Sequence, residues 1–234
     1  MIIKLLNPHN FNKVTNKLIP VLTVAMLTLT TYGLYQALLA SPIDYQQGEM
    51  VRIMYVHVPS AWMSMGIYIF MAFCSLSNLV WKTKLTYILA VAAAPIGACF
   101  AVIALVTGSL WGKPIWGTWW VWDARLTSMF ILFLFYIMYI AVVNSGDNLR
   151  RSEKPASVIA LIGSINIPIV KFSVNLWYSL HQGASIMKSN GPSIHSSMLL
   201  PLMIMFGSFI CYFLLVLILR TQRLLKIFNT RNNL

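Results

Sequence analysis

The sequence predicts an all-α integral membrane protein: a bundle of six transmembrane helices with a Trp-rich external loop between the third and the fourth. Three observations carry this. First, 59% of the 234 residues are hydrophobic and only 9% are charged, whereas a soluble domain carries about a quarter charged residues. Second, the apolar residues fall into six runs, each close to the ~20 residues that a helix needs to cross a bilayer. Third, the basic residues sit in short flanks of those runs, which is where topology signals lie.

The elements follow in order. Residues 1–17 are polar, with Lys4, Lys13, Lys17 and a solvated His9. The first run, 18–40, exceeds the ~7–15-residue apolar core of a secretory signal. Leu38-Leu39-Ala40 is a poor cleavage site, so an uncleaved first span is expected. Ser41-Pro42 ends it. The second span, 58–80, has Pro59 in its first turn, where a missing N–H costs nothing, and this puts His57 at its mouth. Trp81, Lys82 and Lys84 form a basic turn before the third span, 85–106. The fourth is 126–143. The fifth, 156–176, contains Pro168, which predicts a kink, and Lys171, the one charge within a span. A segment with His181, Gly191-Pro192 and His195 leads to the sixth span, 198–219, and a basic tail. No repeat or low-complexity stretch interrupts the chain, so residues 1–234 form a single six-helix transmembrane domain.

Six spans put both termini on one side. Lys4, Lys13, Lys17, Lys82, Lys84, Arg150, Arg151, Lys154, Arg220, Arg223, Lys226 and Arg231 fall there; Arg52, Lys113, Arg125, Lys171 and Lys188 fall opposite. The positive-inside rule makes the richer side cytoplasmic, or matrix in a mitochondrion. The formal charge of +12 therefore reads as topology and not as a nucleic-acid patch. The expected neighbour is membrane lipid, with no nucleic acid.

Five of the eight tryptophans lie within residues 111–125, WGKPIWGTWWVWDAR. Gly112, Pro114 and Gly117 break helices there, and the external loop is expected over about 107–126. An interfacial aromatic belt accounts for one or two indoles at a helix end. Five in one loop point to a platform for a ligand that is large, planar and mostly apolar. Its anionic groups would meet Lys113, Arg125 or Arg52. The candidate binding residues are Trp111, Trp116, Gly117, Trp119, Trp120, Trp122, Asp123 and Arg125.

Three of the four histidines, His57, His181 and His195, fall on this outer side. A histidine at an interface is usually just a polar boundary residue, and His195 reads as a helix-entry residue of the sixth span. Two imidazoles arriving from loops that flank the Trp-rich segment could nevertheless meet one flat ligand from both faces. Imidazole is a common axial ligand of haem iron, and tryptophans and histidines together suggest haem. Cys74, Cys99 and Cys211 fall in three different spans as packing residues, with no Cys-x-x-Cys, so a haem would be non-covalent. Met54 reads as packing too. No nucleotide motif or intramembrane proton relay is present, which argues against an ATPase or an ion path.

The stretches WGKPIWGTWWVWDARLTS at 111–128, RIMYVHVPSAW at 52–62 and LHQG at 180–183 resemble the tryptophan-rich WWD haem-handling membrane proteins, and among them the cytochrome c maturation protein C family (CcmC, haem exporter protein C). The resemblance spans almost the whole chain. It implies that the Trp-rich loop binds haem b outside the membrane with His57 and His181 as axial ligands. It implies presentation of that haem to the haem chaperone CcmE, beside an ABC-type complex of CcmA and CcmB, in a bacterial or mitochondrial inner membrane. The family usually has a paired Trp ahead of its second His motif, where this chain has Leu176-Trp177. The expected function is therefore haem handling in c-type cytochrome biogenesis, without enzymatic activity. The alternatives are a transporter that moves haem through its own bundle and a small haem lyase. Spans with little polar lining beyond Asn166 and Lys171 argue against the first, and the lack of a nucleophile or general-base pair argues against the second.

Overall fold

The computed structural model describes residues 8–145, 149–177, 179–181 and 194–232. Gly183, Lys188 and Gly191-Pro192 lie outside them. The described chain is helical: α1 (Pro8–Tyr35), continued by a π-helical turn (Gln36–Ala40), a 3₁₀ turn (Glu49–Ile53), α2 (Met54–Trp81), α3 (Lys84–Trp116), α4 (Ala124–Asn144), α5 (Leu149–Ser164), α6 (Asn166–Leu176) and α7 (Ser196–Asn232). Six stretches are long and apolar enough to cross a membrane, with α5 and α6 together supplying the fifth. Among the described residues there is no strand.

The helices outrun the apolar runs that mark them. The third, at 33 residues, spans about 50 Å at 1.5 Å per residue, against about 30 Å of hydrocarbon. It is therefore longer than a hydrocarbon core requires. The loop expected from residue 107 is in fact helix as far as Trp116, and the irregular segment is only 117–123. Gly112 does not break this helix: it lies buried, and its missing Cβ makes room for the Trp116 ring. Pro114 forgoes one bond, to the Leu110 carbonyl, in the final turn. Gly117 ends the helix in the left-handed region, φ +75°, with its N–H on the Lys113 carbonyl at 3.0 Å.

The kink expected from Pro168 appears as a break at Ile165, three residues earlier. Pro168 cannot donate to the Ser164 carbonyl, and the Ile165 N–H turns back to the Ile162 carbonyl at 3.1 Å. Asn166 crosses to the Ser128 carbonyl at 2.8 Å and ties this break to α4.

The core lies among α2, α3, α4 and α5, with Tyr68, Met71, Leu132, Tyr136 and Tyr139 fully buried. Tyr136 Oη donates to the Ser64 carbonyl at 2.6 Å, and Gly97 leaves the space its ring needs. By contrast α1 packs chiefly on α7, joined at Thr30 and Ser208, and leaves most of its surface to lipid.

Candidate functional site

An open cavity lies where the ends of α2, α3 and α4 meet the segment after α6. Each helix lends one stripe: His57, Ala61 and Met65 from α2; Ala104, Leu105 and Gly108 from α3; Arg125, Leu126 and Met129 from α4. Spacings of three and four place these side chains on one face of each helix. Val170 and His181 complete the wall. The small residues Ala61, Ala104 and Gly108 leave the volume open. Among the described residues, His57, His181 and Arg125 are the only polar side chains lining it.

The two histidines arrive from distant parts of the chain, and each is fixed through Nδ1. His57 sits in the first turn of α2. Its Nδ1 lies 3.0 Å from the Ala104 carbonyl and 3.1 Å from Thr107 Oγ1. A carbonyl oxygen can only accept, so Nδ1 carries the proton and Nε2 keeps its lone pair. Gly108 admits the ring, since a Cβ there would come within 3.0 Å of His57 Cε1. Trp111 stands edge-on to the same ring at 5.7 Å and is itself held by Gln47 at 2.9 Å.

His181 Nδ1 lies 3.3 Å from Asp123 Oδ2. Asp123 is the N-cap of α4, with Oδ1 accepting the Leu126 N–H at 2.8 Å. Its Oδ2 also accepts from Ser179 Oγ, and the His181 backbone N–H donates to that same Oγ at 3.1 Å. Burial raises the Asp123 carboxyl, but the hydrogen bonds from Ser179, Leu126 and His181 outweigh it and hold its pKa below the ordinary value. Burial lowers the His181 pKa more than its Asp123 contact raises it, which favours the neutral imidazole. A neutral ring with Nδ1–H held by a carboxylate presents a basic Nε2, the usual arrangement of a metal-binding histidine.

None of the five indoles lines this cavity. Trp116 lies edge-on to His181 at 4.8 Å, so Trp111 and Trp116 each buttress a histidine instead of offering a flat face. Trp120 packs edge-on against Trp122 at 5.4 Å and Phe130 at 6.1 Å, and its buried Nε1 has no partner among the described residues. Trp119 and Trp122 are exposed, at 55% and 75%. Asp123 is a positioning group rather than a wall of the site. Gly117 acts as the helix cap.

Of the cations considered from sequence, Arg125 lines the cavity. Arg52 is committed elsewhere, to the Ala37 and Ser41 carbonyls and to Glu49. Lys113 donates to the Gly117 carbonyl at 2.9 Å and lies over Trp119. Lys171 is exposed on α6. His195 is exposed and accepts the Ser197 N–H at the start of α7, the expected helix-entry role. Met54 is packed with Tyr55, Leu202 and Met205. Cys74 is buried, Cys211 half-buried and Cys99 exposed, all as free thiols. The described residues hold no group of three His, Cys, Asp or Glu side chains suited to a bare metal ion. Two anchored imidazoles instead suit a metal whose other positions are already filled, as iron is in a porphyrin.

Sequence reasoning did not single out Ser179, Thr107 or Gly108. For Asp123 alone the sequence carries a sign of what the residue does, since an acidic residue directly before an apolar helical run is an N-cap signature.

The family model of CcmC, heme exporter protein C, matches residues 1–233. The heme exporter protein C of Bradyrhizobium diazoefficiens is 49% identical over 212 residues, covering 91% of this chain and 80% of that protein. That of Haemophilus influenzae is 43% identical over 220 residues, 94% and 89% of the two chains. A putative cytochrome c biosynthesis ccmC-like mitochondrial protein of Marchantia polymorpha is 44% identical over 228 residues, 97% of each.

Proposed function

Because the chain belongs to the CcmC (heme exporter protein C) family, we propose that it handles haem in c-type cytochrome biogenesis. It binds haem b non-covalently at the outer end of the bundle and delivers it to the haem chaperone CcmE, beside CcmA and CcmB. The membrane is the inner membrane of a bacterium or mitochondrion, and both termini lie inside. One observation carries this reading: two histidines, each with its Nδ1 fixed by a hydrogen bond, line one largely apolar pocket. His57 and His181 would ligate the iron through Nε2, and Arg125 would meet a propionate. The exposed Trp119 and Trp122 would cover the part of the ring that projects from the cavity.

The chemistry favours holding and releasing haem over converting it. From Met129 the wall continues into the packed cluster of Leu132, Tyr136 and Tyr139, which speaks against passage through the bundle. The test is the absorption spectrum of the purified chain without any ATPase partner. Bound six-coordinate haem supports the reading; a haem-free protein that takes up none when haem is supplied overturns it. Reporter fusions after residues 150 and 187 should report opposite sides of the membrane, and equal signals would contradict the topology.

A further inference from the structure

The two histidines are held by different kinds of structure. His57 is held by backbone: its Nδ1–H meets the Ala104 carbonyl, with Thr107 beside it, and Gly108 faces its ring. Displacing it means separating α2 from α3, the most extensive helix pair of the fold. His181 is held by side chains, those of Asp123, Ser179 and Trp116. Of these, Ser179 belongs to neither the Trp-rich segment nor the LHQG motif, yet it makes two bonds at once. Its hydroxyl donates to Asp123 Oδ2 and accepts the His181 backbone N–H. The first bond fixes the carboxylate oxygen that receives His181 Nδ1–H. The second is a local turn that sets the direction in which the His181 residue leaves the chain.

We infer that Ser179 is a positioning residue for His181, its hydroxyl tying the Asp123 carboxylate to the His181 backbone so that the loop-side imidazole faces the cavity. That haem is what His181 grips rests on the function proposed above; the positioning itself rests on the Ser179 bonds alone. The consequence is an asymmetric site. The helix side holds its ligand rigidly. The loop side, held by a few side-chain bonds, sets how readily the ligand is handed on.

The test uses the full chain in detergent, loaded with haem, and follows transfer to excess apomyoglobin. Ser179→Ala should shift the spectrum partly away from the bis-imidazole form and speed haem loss by about tenfold or more, the usual scale for removing such a partner. Added imidazole should restore the parental spectrum. Ser179→Thr keeps the hydroxyl and should stay within about twofold of the parent. In the haem-free protein, ¹⁵N resonances of the His181 ring should show one Nδ1-protonated tautomer in the parent and a mixture in Ser179→Ala, with an unchanged melting temperature. Parental spectrum, transfer rate and tautomer in Ser179→Ala would overturn the inference, as would a Thr variant as impaired as the Ala variant. If His181→Ala keeps the parental spectrum, it is the ligand assignment that fails. If the parent takes up no haem, the proposed function fails, and the ¹⁵N comparison still decides the role of Ser179.

Discussion

His181 Nδ1 lies 3.3 Å from Asp123 Oδ2, while Asp123 Oδ1 closes the first turn of α4 through the Leu126 N–H at 2.8 Å. One carboxylate thus joins the end of the Trp-rich segment to a histidine that follows it 58 residues later. The sole aspartate of that segment links two of the three motifs that carry the resemblance, the Trp-rich stretch and LHQG. It also accounts for an acidic residue beside this cavity: Asp123 serves the histidine and the helix, and Arg125 faces the cavity.

Asp123→Asn separates these two roles. Asn caps a helix about as well as Asp, so the melting temperature should hold. The carboxylate that receives His181 Nδ1–H is gone, and haem affinity should fall about tenfold or more. Asp123→Ala should lose both, with about 1 kcal/mol of stability from the cap. Thermal melting with haem titration reads the two effects separately. Parental affinity in Asp123→Asn would contradict the positioning role.

Gly108 and Gly112 offer a test whose sign is unusual. In a helix interior Gly→Ala normally stabilises by about 1 kcal/mol. Here the added Cβ would meet His57 Cε1 at 3.0 Å or the Trp116 ring at 2.7 Å. Both variants should insert normally yet retain less haem, measured as haem per protein after purification. Full haem content in both would mean that the rings beside these glycines do not shape the site.

Much of this was legible in the sequence, for identifiable reasons. The six spans were visible because lipid demands unbroken apolar runs, and the break near Pro168 because a missing N–H acts locally. Helix ends were less legible: α3 continues past its apolar run to Trp116, where neither lipid nor period marks it. Gly112 and Pro114 looked like breakers, but whether a glycine breaks a helix or seats a ring depends on its neighbours in space. His57, His181 and Arg125 were identifiable as candidates from residue type and side of the membrane. What each indole does was not. Trp111 and Trp116 support histidines because α3 carries them past the cavity mouth. Arg52 was out of reach for the same reason, since its partners Ala37 and Ser41 belong to the preceding element. Ser179 and Thr107 acquire their roles only through tertiary contacts.

The most direct measurement is the absorption spectrum of haem bound to the parent, His57→Ala and His181→Ala, each with and without added imidazole. Two axial imidazoles predict that each single variant binds haem more weakly and loses the bis-imidazole form, that free imidazole partly restores it by entering the emptied position, and that the double variant loses nearly all haem. His195→Ala should match the parent. If both single variants keep the parental spectrum, or if His195→Ala is the one that loses haem, the cavity between His57 and His181 is not the haem site.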